Sequence, residues 1–275
     1  MCAEGFNAMI RRNEATGILH GVRVAAGAPT ISYLLFDDDC YLFFRATETE
    51  AEVLKRILKR YEAISGQVVN FNKSTISFSP NTAEQVRREI CDKLEVKEVK
   101  TPGKYLGIPM HIGRNKVTEF AFLLERVEQK LQGWSNQTLS KAGKITLLKT
   151  SAQTVPNFWM NLMLIPKEIC DKIEKRMNAF WWHSDSTGGG IKWMSWDRLC
   201  SAKEEGGLGF KKLKEFNVAM LAKQAWRLVN NVNPMVTKFM QARYFPDTDF
   251  LNASLGNNPS YLWRSILAAH DIIKQ

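Results

Sequence analysis

The chain has 275 residues, with 38 Lys+Arg against 28 Asp+Glu, four His and five Cys, a length that suits one large domain or two modest ones of about 100–200 residues each. A hydrophobic share of 45% with 11% aromatics suffices for a core and excludes wholesale disorder. No apolar run reaches the roughly 18–20 residues of a membrane span, and the start Met1-Cys2-Ala3-Glu4-Gly5 lacks the basic-then-apolar order of a signal peptide. The cysteines (Cys2, Cys40, Cys91, Cys170, Cys200) are scattered, with no CxxC, CxxxC or HxxxH spacing. That argues against a disulfide scaffold, a disulfide-linked partner or a structural zinc site, so the expected setting is intracellular and reducing, in nucleus or cytoplasm alike.

Charge is uneven. Residues 1–110 carry 15 basic and 14 acidic side chains, whereas residues 111–275 carry 23 and 14, together with all eight tryptophans from Trp134 to Trp263. A basic, aromatic half suits a phosphate backbone with stacking faces; a solvated basic surface over a Trp-rich helical core explains it as well, and composition alone favours the second.

In chain order, Phe6, Met9 and Ile10 share a face of a first helix, and Ile18–Val24 and Ile31–Phe36 read as strands around the Ala25-Ala26-Gly27-Ala28-Pro29 break. Cys40–Arg45 is again strand-like. Thr49 with Glu52 has capping-box spacing, Leu54, Ile57, Leu58, Tyr61 and Ile64 form an amphipathic stripe, and Gly66 fits a helix C-terminus. Val68–Phe71 and Thr75–Phe78 suggest a hairpin turning at Asn72-Lys73, followed by a short helix near 82–95 and a strand-and-turn segment, 104–109. Helical stripes follow at Phe120, Leu123, Leu124, Val127 and Leu131, then from Ser140 to a break at Pro156, then at Ile169, Ile173, Met177 and Phe180. Gly188-Gly189-Gly190 reads as a linker to a small helical appendage with a helix near 215–230. The expected class is α+β, becoming mainly α after residue 112.

The segment Tyr33-Leu34-Leu35-Phe36-Asp37-Asp38-Asp39-Cys40-Tyr41-Leu42 carries the chemistry: two apolar strands flank adjacent carboxylates at a tight turn. Paired magnesium ions about 3.5–4 Å apart need carboxylates converging from rigid backbone, and a hairpin tip supplies them. An ordinary Asp-rich turn would look the same.

This stretch resembles the aspartate hairpin of reverse transcriptases from plant LINE-type (non-LTR) retrotransposons. So do Ser65-Gly66-Gln67-Val68-Val69-Asn70-Phe71-Asn72-Lys73-Ser74, similar to the next palm motif, and Tyr105-Leu106-Gly107-Ile108-Pro109, similar to the segment before the thumb. Trp134, Leu139-Ser140-Lys141-Ala142-Gly143-Lys144, Pro156, Phe180-Trp181-Trp182 and Gly206-Gly207-Leu208-Gly209-Phe210 follow in the family's order. The resemblance implies part of a polymerase palm (1–112, antiparallel hairpins with helices), a helical thumb (113–186) and a connecting region (187–275). It further implies an RNA-directed DNA polymerase with Mg2+, an RNA template, a DNA primer and deoxynucleoside triphosphates.

On that resemblance Asp38 and Asp39 take the two metal-binding aspartates, and Lys73 the lysine that protonates departing pyrophosphate, with a plain turn lysine as the alternative. Tyr105 and Gly107 fall where the primer is gripped, or are strand-and-turn packing. Lys141, Lys144 and Lys149 face the nucleic-acid backbone, or form a solvated helix face. Trp181 and Trp182 read as core before base-stacking platforms.

Two departures stand out. Asp37 replaces a small residue, and a third crowded carboxylate is expected to impair catalysis; Asp37→Ala in a full-length polymerase would then raise extension. Met1–Phe6 resembles the stretch just after the template-positioning motif, which puts the fingers and the third metal-binding aspartate before residue 1. The two-metal site is then incomplete, and the chain alone is expected not to polymerise. A non-catalytic RNA or RNA–DNA binding protein using the basic thumb, and a retroelement relic without a selected role, remain the alternatives.

Overall fold

The computed structural model describes residues 2–37, 39–100, 103–105, 108–109, 112–135, 138–182 and 191–274. It divides into two compact units, Met1–His111 and Ile112–Gln275. The class is mixed, helix-rich with small sheets.

In the first unit, α1 (Cys2–Ala15) precedes the hairpin β1 (Tyr33–Phe36) and β2 (Asp39–Leu42), and α2 (Glu48–Ser65) follows. Apolar side chains of all four elements form one cluster: Phe6, Ile10, Val53 and Ile57 are buried with Leu19, and Tyr33, Leu35 and Leu42 pack against them. The alternation of β1 accounts for this, because Tyr33 and Leu35 share the inward face. The expected strand 18–24 shrinks to one bridge, Val22 with Ile31. Gly21 lies so close to Ile31 and Ser32 that a Cβ there would collide with both.

Helix α2 starts two residues before the expected capping box. Thr47 is its N-cap, with Oγ1 accepting from the Glu50 N–H at 3.3 Å. Its C-terminus is as the sequence suggests: Gly66 has φ +72° and donates its N–H to the Glu62 carbonyl. The expected hairpin at 68–78 does not form. β3 (Thr75–Ile76) instead pairs in parallel with β4 (Lys97–Glu98), beyond α3 (Glu84–Leu94). Asn70 accepts at its backbone oxygen from the Lys73 and Ser74 N–H groups, so the local polar groups close a turn rather than a ladder. β5 (Lys104–Tyr105) and β6 (Ile108–Pro109) pair antiparallel. Among the described residues the strands thus make three two-stranded ribbons, not one shared sheet.

The second unit is helical. α4 (Lys116–Ser135) packs along α7 (Lys167–Trp182), and the stripes Phe120, Leu123, Val127, Leu131 and Ile169, Ile173, Met177, Phe180 are all buried. Between them, Ser140 caps α5 (Lys141–Leu147), which runs into a π-helical turn, Leu148–Ala152, before α6 (Asn157–Met160). α8 (Trp196–Cys200), α9 (Leu213–Val229), α10 (Pro234–Tyr244), α11 (Tyr261–Leu267) and α12 (His270–Ile273) complete it. Of these only α9 has a clear sequence stripe.

The segment expected as an appendage is interlocked with the preceding helices. Asn217 of α9 is wholly buried: its Oδ1 accepts from the Ile165 N–H at 2.7 Å, and its Nδ2 donates to the Met160 and Met163 carbonyls at 2.9 and 3.0 Å. At the far end of the unit, Trp263 is fully buried and stacks between Tyr244 and Phe245, with ring centroids 4.8 and 5.6 Å away. The anticipated linker 188–190 lies outside the described residues.

Candidate functional site

The acidic turn sits at the tip of the β1–β2 hairpin. Phe36 faces Asp39 in register, so the chain reverses between them. Asp37 has φ +52°, the sign that such tight hairpin turns require and that Asp tolerates better than most residues. Asp37 and Asp39 are both exposed, and Asp38 lies outside the described residues. The base of the hairpin is held by polar contacts as well as packing: the Tyr33 hydroxyl donates to Asn7 Oδ1, and the Ser32 hydroxyl to Glu14. The carboxylate of Glu14 thus helps hold the hairpin base through Ser32.

Carboxylate oxygens are the right donors for magnesium in kind. Among the described residues, which leave out Asp38, no group of three or more His, Cys, Asp or Glu side chains could hold a metal ion. Lys73 is exposed in the turn closed by Asn70, whose Oδ1 also accepts from its N–H at 3.1 Å. Tyr105 lies in β5 opposite Ile108, and Gly107 falls outside the described residues.

The three lysines expected to face a nucleic-acid backbone make internal contacts. Lys141 Nζ donates to the Trp181 carbonyl at 2.9 Å and lies over the Trp181 ring, 4.7 Å from its centroid. Lys144 is buried and donates to the Phe180 carbonyl at 3.2 Å. Both cations thus sit on the last carbonyls of α7, where unpaired acceptors and the helix dipole favour positive charge. Lys149 donates to the Leu208 carbonyl at 2.6 Å and lies over Phe210, so it fastens the Gly206–Phe210 segment. In that segment a Cβ on Gly207 would collide with the Ser201 carbonyl, which gives the glycine motif a packing reason of its own.

Other side chains in the second unit offer the combination that nucleic acid needs. Trp226 is 57% exposed on α9, with exposed Lys223 three residues before it on the same side of the helix and exposed Arg227 next to it in the chain. Trp193 is 78% exposed, beside exposed Lys192. The sequence carried a usable signal at Trp226, since Leu221, Ala225 and Leu228 fill the buried face and leave it outside the stripe. Trp181, by contrast, is buried, against Phe210.

Two carboxylates are also more important to the scaffold than spacing alone indicates. Glu50 is buried and accepts from the backbone N–H groups of His20 (3.1 Å) and Arg45 (2.9 Å) while contacting His20 Nδ1 at 2.8 Å. It fixes the entry to the hairpin onto α2. Glu174 of α7 accepts from the Leu213 N–H at 2.6 Å and so caps α9 from a neighbouring helix; burial pushes its carboxyl above the ordinary glutamate range. Burial likewise pushes the thiols of Cys170 and Cys200 up to about 12, so neither is a nucleophile at neutral pH.

No family model matches the chain. It is 36% identical over 122 residues to an uncharacterized mitochondrial protein of Arabidopsis thaliana, a match covering 44% of this chain and 79% of that protein. It is 35% identical over 130 residues to a protein of Arabidopsis thaliana described as a "putative ribonuclease H protein", covering 47% of this chain and 21% of that one. The chain therefore spans about a fifth of the second relative.

Proposed function

The chain belongs to the family of the uncharacterized Arabidopsis mitochondrial protein, and from that premise we propose that it is a retroelement-derived nucleic-acid-binding protein, related to the palm, thumb and connecting region of a non-LTR reverse transcriptase. The observation that carries the reading is the acidic turn between apolar strands, Phe36 to Asp39, anchored on α1 and α2. It occurs in order with the further motifs up to Gly206–Phe210. The second relative, described as a putative ribonuclease H protein, adds weight to a nucleic-acid role.

In the complete enzyme of that family, Asp38 and Asp39 would hold the magnesium ions of nucleotidyl transfer. Catalysis by this chain alone is not part of the proposal. Binding is. A net positive second unit with exposed tryptophans beside cations suits a phosphate backbone with unstacked bases. The contacts fall to Lys223, Trp226 and Arg227 on α9 and to Lys192 and Trp193 before α8, while Lys141, Lys144 and Lys149 support the fold beneath.

Competition tests this. A labelled RNA–DNA hybrid bound by the chain should be displaced by unlabelled hybrid or single-stranded RNA and not by an uncharged polymer of similar size. Failure of the hybrid to bind at low salt would overturn the reading.

A further inference from the structure

A groove runs between α1 and α2 in the first unit, with a volume of about 780 Å3. Its floor is aliphatic: Val53 and Ile57 are buried there, and Ile18 and Ile64 remain 47% and 71% exposed. The trough exists because α1 presents Gly5 and Ala8 to it, and a Cβ on Gly5 would meet nothing within 4 Å. Three exposed guanidiniums, Arg12, Arg56 and Arg60, also line it. Among the described residues none of the three has an ion pair, and no carboxylate lines the groove.

We infer that this groove docks an acidic amphipathic helix of a partner protein, apolar residues at i, i+4 and i+7 on the floor and carboxylates on the arginine rim. Charge complementarity commits the site to an anionic occupant, and the floor decides which kind. A nucleic acid would satisfy the arginines and leave Ile18 and Ile64 against water. The one aromatic ring in the lining, Tyr61, is half-buried against Phe6 and gives its hydroxyl to Gln67, so no stacking platform is offered. A helix matches both parts, since it carries an apolar stripe flanked by polar residues. From Val53 to Ser65 the trough is about 18 Å long at 1.5 Å per residue, room for roughly three helical turns.

The test uses the full chain and a fluorescein-labelled 16-residue helical peptide with a leucine stripe flanked by glutamates, read by anisotropy. A second peptide carries lysines in place of the glutamates. The glutamate peptide should bind and the lysine peptide should not. Joint Arg56→Glu and Arg60→Glu should weaken binding by about tenfold or more, and Ile64→Asp by about tenfold. These three positions are exposed, so an unchanged far-UV circular dichroism spectrum shows that the fold is retained. Equal binding of the two peptides, no binding of either, or an affinity indifferent to Ile64→Asp would each overturn the inference. So would a 12-nucleotide RNA whose binding depends on Arg56 and Arg60 while the glutamate peptide does not compete, because the groove would then be a phosphate site.

Discussion

Replacing Asn217 by Ala removes one side chain that holds three backbone groups at once. Ile165 loses the acceptor for its buried N–H, and the Met160 and Met163 carbonyls each lose a donor. A buried donor left unsatisfied costs about 1–3 kcal/mol, and a carbonyl deprived of one partner costs less, since it has a second lone pair. With the small cavity that remains, the sum is about 3–4 kcal/mol. All eight tryptophans lie between Trp134 and Trp263, so tryptophan fluorescence in a urea titration reports the second unit alone. With a slope of roughly 2 kcal/mol per M, the midpoint should fall by about 1.5–2 M. Asn217→Asp keeps the shape but turns an oxygen toward two carbonyls, and should be at least as damaging. A midpoint within about 0.3 M of the unmodified chain would refute the idea that Asn217 locks α9 onto residues 160–165.

Glu50→Ala leaves the His20 and Arg45 N–H groups without their acceptor; it should destabilise the first unit by about 2–4 kcal/mol, seen as faster amide exchange in α2 with the tryptophan signal unchanged. Glu174 titrates above its ordinary value near 4.5 because it is buried, so the folded chain takes up its proton at higher pH than the unfolded chain does. This group therefore makes the second unit lose stability as pH rises from about 4.5 through the raised value. Glu174→Gln, which still accepts from Leu213, should raise the urea midpoint at pH 7 relative to the unmodified chain and lose that advantage below pH 4.5. Lys149→Ala should lower the midpoint by the equivalent of about 1.5–3 kcal/mol, the worth of a charged hydrogen bond, and leave the salt dependence of nucleic-acid binding unaltered. A reduced salt slope would return Lys149 to the interface.

Much of the helical framework was legible because burial follows period. Phe120, Leu123, Val127 and Leu131, and Ile169, Ile173, Met177 and Phe180, are spaced for one face and are buried on one face. Gly66 ends α2 for the reason its position suggests. What spacing did not disclose depends on side chains reaching across the chain. Thr47 is the N-cap rather than Thr49, and the Glu50 carboxylate three residues on also holds His20, 30 residues away, a contact no local window contains. The Val68–Phe71 segment has strand composition, yet Thr75–Ile76 pairs with Lys97–Glu98 across α3. Lysine in a helix reads as solvated until the end of another helix is brought to it, as the α7 carbonyls are brought to Lys141 and Lys144. The acidic turn was visible as a turn, since Asp37 accepts a left-handed backbone and apolar residues flank it; its register and its anchoring through Tyr33 and Ser32 needed the fold.

The most direct measurement is anisotropy of an RNA–DNA hybrid with the purified chain at 50 and 200 mM salt, repeated with Trp226→Ala. If the second unit holds nucleic acid through α9, affinity should fall about 10–100-fold between the two salts, as release of several counterions requires. Trp226→Ala should weaken binding by about fivefold or more at either salt, as loss of a stacking face does, with the urea midpoint unchanged. No binding at 50 mM, or binding indifferent to both salt and Trp226, would contradict the account: the basic half would then be a surface, and the acidic hairpin a turn.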